Sequence, residues 1–260
     1  MQNICKNYVL GKCNNLECKF EHKDNICRSY FLHSNCNRGS NCKFSHTFVF
    51  SQKSNKNTET FEPDHSEPSM RVYFNQPIYM GNEVSITNNL FNVNTDYCKN
   101  LMNEIPKEVF KPWHEDSHLI ADDRTDIDWK ANSPTFQNIV RELSRYFCMT
   151  VSASRFNYYT DSKDWKPYHH DAAALKPDKA KTQNITVGVS FGLTREISFE
   201  SIHSNKNERI TINFPLENGY VYAFGNQVNI DFKHGIPQIE DYFSRERISI
   251  ILWGFSSLLF

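Results

Sequence analysis

SRFNYYTDSKDWKPYHHD, residues 154 to 171, is the stretch from which the rest of the chain can be read. It closes on a His-x-Asp pair, His169 and Asp171, and holds an Asn-x-Tyr pair, Asn157 and Tyr159, near its start. The aromatic content of its first half predicts a strand, and residues two apart on a strand share a face, so each pair presents both members to one side. Far downstream, His234 lies in FKHGIPQ and Arg247 heads the apolar run RISIILW. Two neutral imidazoles and one carboxylate can occupy one face of Fe(II) and leave three positions open. Two of those positions suit the 2-oxo acid end of 2-oxoglutarate and the third suits oxygen. The far carboxylate of that cosubstrate then calls for a planar, bidentate cation, and Arg247 is the candidate.

Taken in this order, the residues resemble those of the AlkB-like Fe(II)/2-oxoglutarate dioxygenases over roughly Val151 to Trp253. The resemblance implies that His169, Asp171 and His234 are the iron ligands and form the catalytic set. It implies that Asn157 and Tyr159 contact 2-oxoglutarate and that Arg247 is the first Arg of the family's Arg-x5-Arg motif. GYVYAFGNQVNIDFKHGIP is similar to the strand, turn and strand that lead into the second ligand histidine. One position departs from the pattern, because Trp253 stands where the family has its second Arg. Positions 247 and 253 are six apart, so both are expected to face the pocket, with Ser249 and Ile251 between them. A lone His-x-Asp is common by chance; the ordered set carries the reading.

At 260 residues the chain has room for one sizeable domain and a small one. Its formal charge of −1 gives no global electrostatic argument for nucleic acid, and its 14% aromatic content favours a β-rich core. The N-terminus MQNICKNYVLGKC has no apolar signal-peptide core, and no run of about eighteen apolar residues occurs. A soluble, monomeric, intracellular protein of cytoplasm or nucleus is expected, with no membrane partner.

Six of the eight cysteines fall before residue 43, and each group of three is followed by a histidine. Cys5, Cys13, Cys18 and His22 are spaced C-x7-C-x4-C-x3-H; Cys27, Cys36, Cys42 and His46 are spaced C-x8-C-x5-C-x3-H. This is metal spacing rather than disulfide spacing, and thiolate ligands imply a reducing compartment. Three thiolates and an imidazole close a tetrahedral Zn(II) site with no position for water, so each zinc is structural and supplies the folding energy that a finger of about twenty residues cannot draw from a core. The two repeats resemble CCCH zinc fingers, whose usual ligand is single-stranded RNA.

Aromatic residues Tyr8, Phe20, Tyr30, Phe31 and Phe44 stand beside Lys6, Lys19, Arg28 and Lys43, which suits unpaired bases and phosphates. Phe20 and Phe44 are equally suited to packing on the metal. Residues 1–50 carry seven basic and three acidic side chains, a balance of plus four that falls to plus two once each zinc site adds a negative charge. That is modest for a nucleic-acid binder, so protein docking remains an alternative for this module.

The polar stretch 51–69 reads as a flexible linker, and residues 70–260 as the oxygenase domain. Within the latter, 70–86 predicts strand, turn and strand, and 95–105 a short helix ended by Pro106. Residues 107–132 read as an irregular, solvated segment in which His114, His118 and several aspartates follow no ligand spacing. A helix starts at Ser133 with Pro134, its apolar stripe running through Phe136, Ile139, Val140, Leu143 and Phe147, with Cys148 in the core. Strands are expected near 151–159, 184–192, 195–201, 208–214, 219–225, 228–234 and 246–253, with a lysine-bearing loop over 172–183.

The fold class is therefore α+β, mainly β: a double-stranded β-helix, or jelly roll, beside a zinc-stabilised N-terminal module. The leading functional expectation is a dioxygenase, an oxidoreductase, that demethylates an N-methylated base in RNA held by the fingers. A protein side-chain hydroxylase, or a noncatalytic RNA-binding protein with a decayed oxygenase fold, are the alternatives.

Overall fold

The computed structural model describes residues 6–9, 12–15, 18, 22, 24–27, 38, 42–44, 58–60, 69–73, 83–202, 211–239 and 243–258. In chain order the strands are β1 (Thr58–Thr60), β2 (Ser69–Tyr73), β3 (Glu83–Thr87), β4 (Phe110–Trp113), β5 (His118–Ala121), β6 (Met149–Tyr159), β7 (Lys166–His169), β8 (Ile185–Gly192), β9 (Arg195–Ser201), β10 (Thr211–Leu216), β11 (Val221–Gly225), β12 (Phe232–Ile236) and β13 (Arg247–Ser256). They form a five-stranded sheet in the order β1-β10-β9-β12-β7 and an eight-stranded sheet in the order β2-β3-β11-β8-β13-β6-β5-β4. Every pairing is antiparallel except β1 with β10. The arrangement is the expected double-stranded β-helix.

Two apolar layers follow from strand alternation. On β13, Ile248, Ile250 and Leu252 join Val187, Val189 and Phe191 of β8 in a core that also takes Leu101, Phe136, Ile139 and Leu143 from two helices. On the other face, Phe199, Phe214, Phe224 and Phe232 fill the space between the sheets. Arg247, Ser249 and Ile251 alternate with the first set, so β13 turns its polar residues toward the small sheet. Burial on both faces explains why β8, ITVGVSFG, shows little period-two polarity.

The two longest helices among the described residues are Tyr97–Glu104 and Pro134–Tyr146, close to expectation. Ser133 caps the second by accepting from the Phe136 N–H, with Pro134 at its first turn, an arrangement worth about 1 kcal/mol. Glu104 accepts from the Ser133 hydroxyl and from Thr135, which joins the end of one helix to the start of the next.

Five expectations need correction. Residues 107–132 are not irregular throughout: β4 and β5 form a hairpin at the edge of the large sheet, where Pro112 is tolerated because it owes no outer ladder bond. Cys148 is exposed, not core; it adopts φ +45 after the helix, the left-handed turn that ends many helices. Residues 228–234 do not form one strand, because Asn226–Asp231 is helical and β12 starts at Phe232. The segment 172–183 carries two short helices, Ala172–Leu175 and Pro177–Ala180, with Lys176, Lys179 and Lys181 in solvent. Within the stretch read as a linker, Thr58–Thr60 pairs with Thr211–Asn213. No helix among the described residues is long and apolar enough to cross a membrane.

Candidate metal and cosubstrate site

His169 ends β7 and His234 lies mid-β12, and the two are cross-strand partners whose ring centroids are 4.5 Å apart. Asp171 precedes the helix Ala172–Leu175 without capping it, so its carboxylate is free to turn inward. His169 Nε2 lies 3.8 Å from Asp171 Oδ1, and His234 Nε2 lies 3.6 Å from Asp171 Oδ2. One ligand atom from each of the three falls within 4.8 Å of the others.

The surroundings settle how each ligand points. His169 Nδ1–H donates to the Pro167 carbonyl at 2.9 Å, which leaves the Nε2 lone pair for the cluster. Asp171 Oδ2 accepts from the Thr186 hydroxyl at 2.8 Å. Asn229 brackets the Asp171 backbone, accepting from its N–H and donating to its carbonyl. His170 points away as expected, its Nδ1–H donating to the Asn229 carbonyl at 2.6 Å. Burial, ahead of any charge, holds His234 down to about 4 and His169 below the range where histidines ordinarily titrate. Both rings are therefore neutral at pH 7, the form a metal needs. His234 Nδ1 is buried with no partner among the described residues. Two neutral imidazoles and a carboxylate, converging in a buried pocket, fit a mononuclear Fe(II) ion.

Beside the triad, Tyr159 is sandwiched: its ring stacks on His118, centroids 5.0 Å apart, and the Arg247 guanidinium lies 4.8 Å over its other face. Arg247 is 1% exposed; its Nε–H donates to Ser190 Oγ at 2.8 Å, while Nη1 and Nη2, beside the Tyr159 ring, are buried with no oxygen or nitrogen partner in good geometry among the described residues. A guanidinium fork in that condition is prepared for a carboxylate. Asn157 donates to the Ser249 carbonyl and turns its Oδ1 toward His118 Nε2, 3.2 Å away. All six residues expected from the sequence, His169, Asp171, His234, Asn157, Tyr159 and Arg247, thus lie in one pocket.

Three residues there were not expected. His118, read as solvated, is 1% exposed between Asn157, Tyr159 and the Ser117 hydroxyl, and burial depresses it to about 3. The turn that delivers it, His114–Asp116, has three consecutive positive φ values. No glycine announces that turn, which is why sequence pattern missed it. Lys166 opens β7 and is 8% exposed. His169 pairs with His234 but Lys166 pairs with Ile236, so β7 spends three steps where β12 spends two. That bulge reverses the alternation, and Lys166 and His169 both turn into the pocket despite their odd spacing. Arg195 of β9 is 2% exposed, donating to the carbonyls of Asp164 and Pro237. Its neighbour across the pocket is Arg247.

Trp253 lies on the pocket face of β13 opposite Thr186, the residue that holds Asp171. It lines a small cavity with Ala173 and Asn226, where its Nε1–H has no partner among the described residues. A separate cavity of about 510 Å³, lined by Asp96, Tyr97, Tyr158, Arg245 and Glu246, contains none of these residues.

In the N-terminal module, Cys13, Cys18 and His22 also converge within 4.8 Å, with the Tyr8 ring stacked on His22 at 4.0 Å. His22 Nε2 is buried without a partner among the described residues, which fits zinc. Cys27 is buried and Cys42 half-buried; Cys5, Cys36 and His46 lie outside the described residues, as do Phe20, Tyr30 and Phe31. One face of Tyr8 is thus occupied by a ligand ring, whereas Phe44 is 48% exposed rather than packed.

Residues 23–48 match the family described as zinc finger C-x8-C-x5-C-x3-H type (and similar), which covers the second repeat. Comparison with curated protein sequences gives no match. Among solved structures, the chain is similar to an oxidoreductase of the 2OG-Fe(II) oxygenase family from Burkholderia pseudomallei, at 13% identity and a TM-score of 0.43 over 75% of this chain and 93% of that one. It is also similar to OsALKBH1, at 15% identity and a TM-score of 0.47 over 68% of this chain and 100% of that one.

Proposed function

We propose that the chain is an Fe(II)- and 2-oxoglutarate-dependent dioxygenase acting on nucleic acid, by oxidative demethylation of an N-methylated base in RNA. The observation that carries this reading is the pairing of a His169–Asp171–His234 face with a buried, unpartnered Arg247 fork in the same pocket. His169, Asp171 and His234 would hold Fe(II), and Arg247, with Tyr159 and Asn157, would hold 2-oxoglutarate. With oxygen, the bound pair supplies the oxidant that turns N–CH3 into N–CH2OH while 2-oxoglutarate becomes succinate and carbon dioxide; the carbinol then leaves as formaldehyde.

The chain's own part is positional. Thr186 fixes the Asp171 carboxylate, Asn229 fixes the Asp171 backbone, and Pro167 selects the His169 tautomer. His118 sets the Asn157 amide. Apolar rings around His234, Phe199 at 5.9 Å and Phe224 at 4.9 Å, exclude water from the metal face. At the mouth, Arg155 lies 4.7 Å over the Trp113 ring, and His114 stands 6.4 Å from His169. A cation and planar rings at that place suit a nucleotide better than an aliphatic side chain.

The arrangement along the chain would be fingers in 1–50 holding two zinc ions, a connecting segment in 51–69 that is tethered to the small sheet through Thr58–Thr60, and the oxygenase in 70–260. Fingers on a tether raise the effective concentration of RNA at the pocket. The test is incubation of the Fe(II)-loaded chain with 2-oxoglutarate, oxygen and cellular RNA, followed by mass spectrometry of the digested RNA. Loss of an N-methylated nucleoside, absent with Asp171→Ala, is the expected result. Hydroxylation of a protein with no change in RNA would move the assignment to a side-chain hydroxylase.

A further inference from the structure

Lys166 is a cation only 8% exposed. It makes no hydrogen bond or ion pair to a described residue, and the one carboxylate whose charge offsets its own is Asp171, already committed to the metal cluster. The other nearby carboxylates are engaged elsewhere: Asp164 accepts from Thr160, and Glu246 accepts from Tyr158 on the far face of β6. Arg155, Arg195 and Arg247 converge on the same pocket from β6, β9 and β13. A pocket with this surplus of cations is unstable unless an anion of matching charge enters it, because an uncompensated buried charge costs several kcal/mol. An anion small enough to lie wholly inside suits an 8% exposed ammonium; the phosphates of a polymer stay at the mouth.

The position of Lys166 selects which end of such an anion it meets. Its cross-strand partner Ile236 faces the space between the sheets, two residues along β12 from His234, so Lys166 enters that space beside the His169–His234 pair, where its charge disfavours protonation of His169, His118 and His114. It therefore stands at the metal end of the pocket. The β13 side of that end offers Trp253, whose indole carries no charge, and the Thr186 hydroxyl.

We propose that Lys166 is a cosubstrate-binding residue: its ammonium grips the carboxylate of a 2-oxo acid at the metal end, while Arg247 takes the far carboxylate. This rests on the 2-oxoglutarate reading above. The bulge in β7 is the device that delivers the charge, and Gly235, whose Cβ would meet the backbone of Lys166, Pro167 and Tyr168, is what admits the bulge.

The test is anaerobic calorimetric titration of the Fe(II)-loaded full chain with two probes, 2-oxoglutarate and 2-oxobutanoate, which lacks the far carboxylate. Lys166→Met should weaken 2-oxoglutarate about tenfold to a hundredfold, the loss expected for one charge-assisted bond, and Lys166→Arg should recover most of it. Lys166→Met should weaken 2-oxobutanoate equally, whereas Arg247→Met should weaken only 2-oxoglutarate. Without any ligand, Lys166→Met should melt at or above the wild-type temperature, because an unpaired buried charge has gone. Unchanged 2-oxoglutarate affinity in Lys166→Met, or a lowered melting temperature in the ligand-free variant, overturns the proposal. If the wild type binds neither acid, or Arg247→Met leaves 2-oxoglutarate binding unchanged, it is the cosubstrate reading itself that fails.

Discussion

A Cβ on Gly235 would lie 2.7 Å from the carbonyl oxygen of Lys166, so the glycine after His234 is what lets β12 come flush against the bulged strand β7. A side chain there must push the strands apart at the point where His169 and His234 face each other. Gly235→Ala should destabilise the fold by about 1–3 kcal/mol, the usual cost of overpacking, and should weaken metal binding more than stability. Thermal melts with and without Fe(II) measure both quantities.

Thr186 holds Asp171 Oδ2, the oxygen nearest His234 Nε2, and Thr186→Val removes that hydroxyl while keeping the shape of the side chain. Groups that orient a metal ligand typically contribute about 10- to 100-fold in metal affinity, and a loss of that size is expected here. Competition titration against a chelator of known affinity reads it.

His118 gives a pH dependence of defined sign. Its folded-state value, about 3, lies below its ordinary value of 6.5, so the unfolded chain binds the extra proton first as pH falls. Stability from keeping this ring neutral is complete above pH 6.5 and is lost progressively from there toward pH 3. His118→Gln should flatten that loss. Urea midpoints at pH 7 and pH 5 should differ less in the variant than in the wild type.

Arg247→Met should raise the 2-oxoglutarate requirement about ten- to a hundredfold, since it removes the only fully buried guanidinium fork found without partners among the described residues. Cosubstrate saturation curves for the two proteins give the ratio directly.

Cys27→Ala removes a zinc ligand from the repeat that matches the CCCH finger family. The expected result is one zinc ion where the wild type holds two, with the second repeat open to protease and the melting of the oxygenase domain unchanged. Metal analysis beside limited proteolysis decides it.

The candidate cluster was legible because metal and cosubstrate chemistry restrict residue type so tightly. Few side chains besides His169, Asp171, His234 and Arg247 could serve at their positions, and each stands in a short local pattern: His-x-Asp, His-Gly-Ile-Pro, Arg entering an apolar strand. The helix Pro134–Tyr146 was legible for a similar reason, since Ser133, Pro134 and the apolar stripe are all local signals. Charge misled over residues 107–132. Asp122 and Asp123 are surface residues paired with Lys111 and Lys130, yet the same segment carries His118, Ile120 and Ala121 into the interior.

Sequence by itself determined the two repeats with metal spacing, the mainly β class and which residues meet in the candidate site, because these depend on residue type and short spacing. Tertiary structure alone decided that His118 stacks on Tyr159, that Asn229 on an unforeseen helix brackets Asp171, and that Lys166 shares a pocket with His169. Alternation along an unbroken strand places residues three apart on opposite faces; only a bulge against a partner strand whose paired residues lie 65 and 70 positions downstream reverses that. Register is fixed between strands, by hydrogen bonds and close backbone contact, so no local pattern in β7 could announce it.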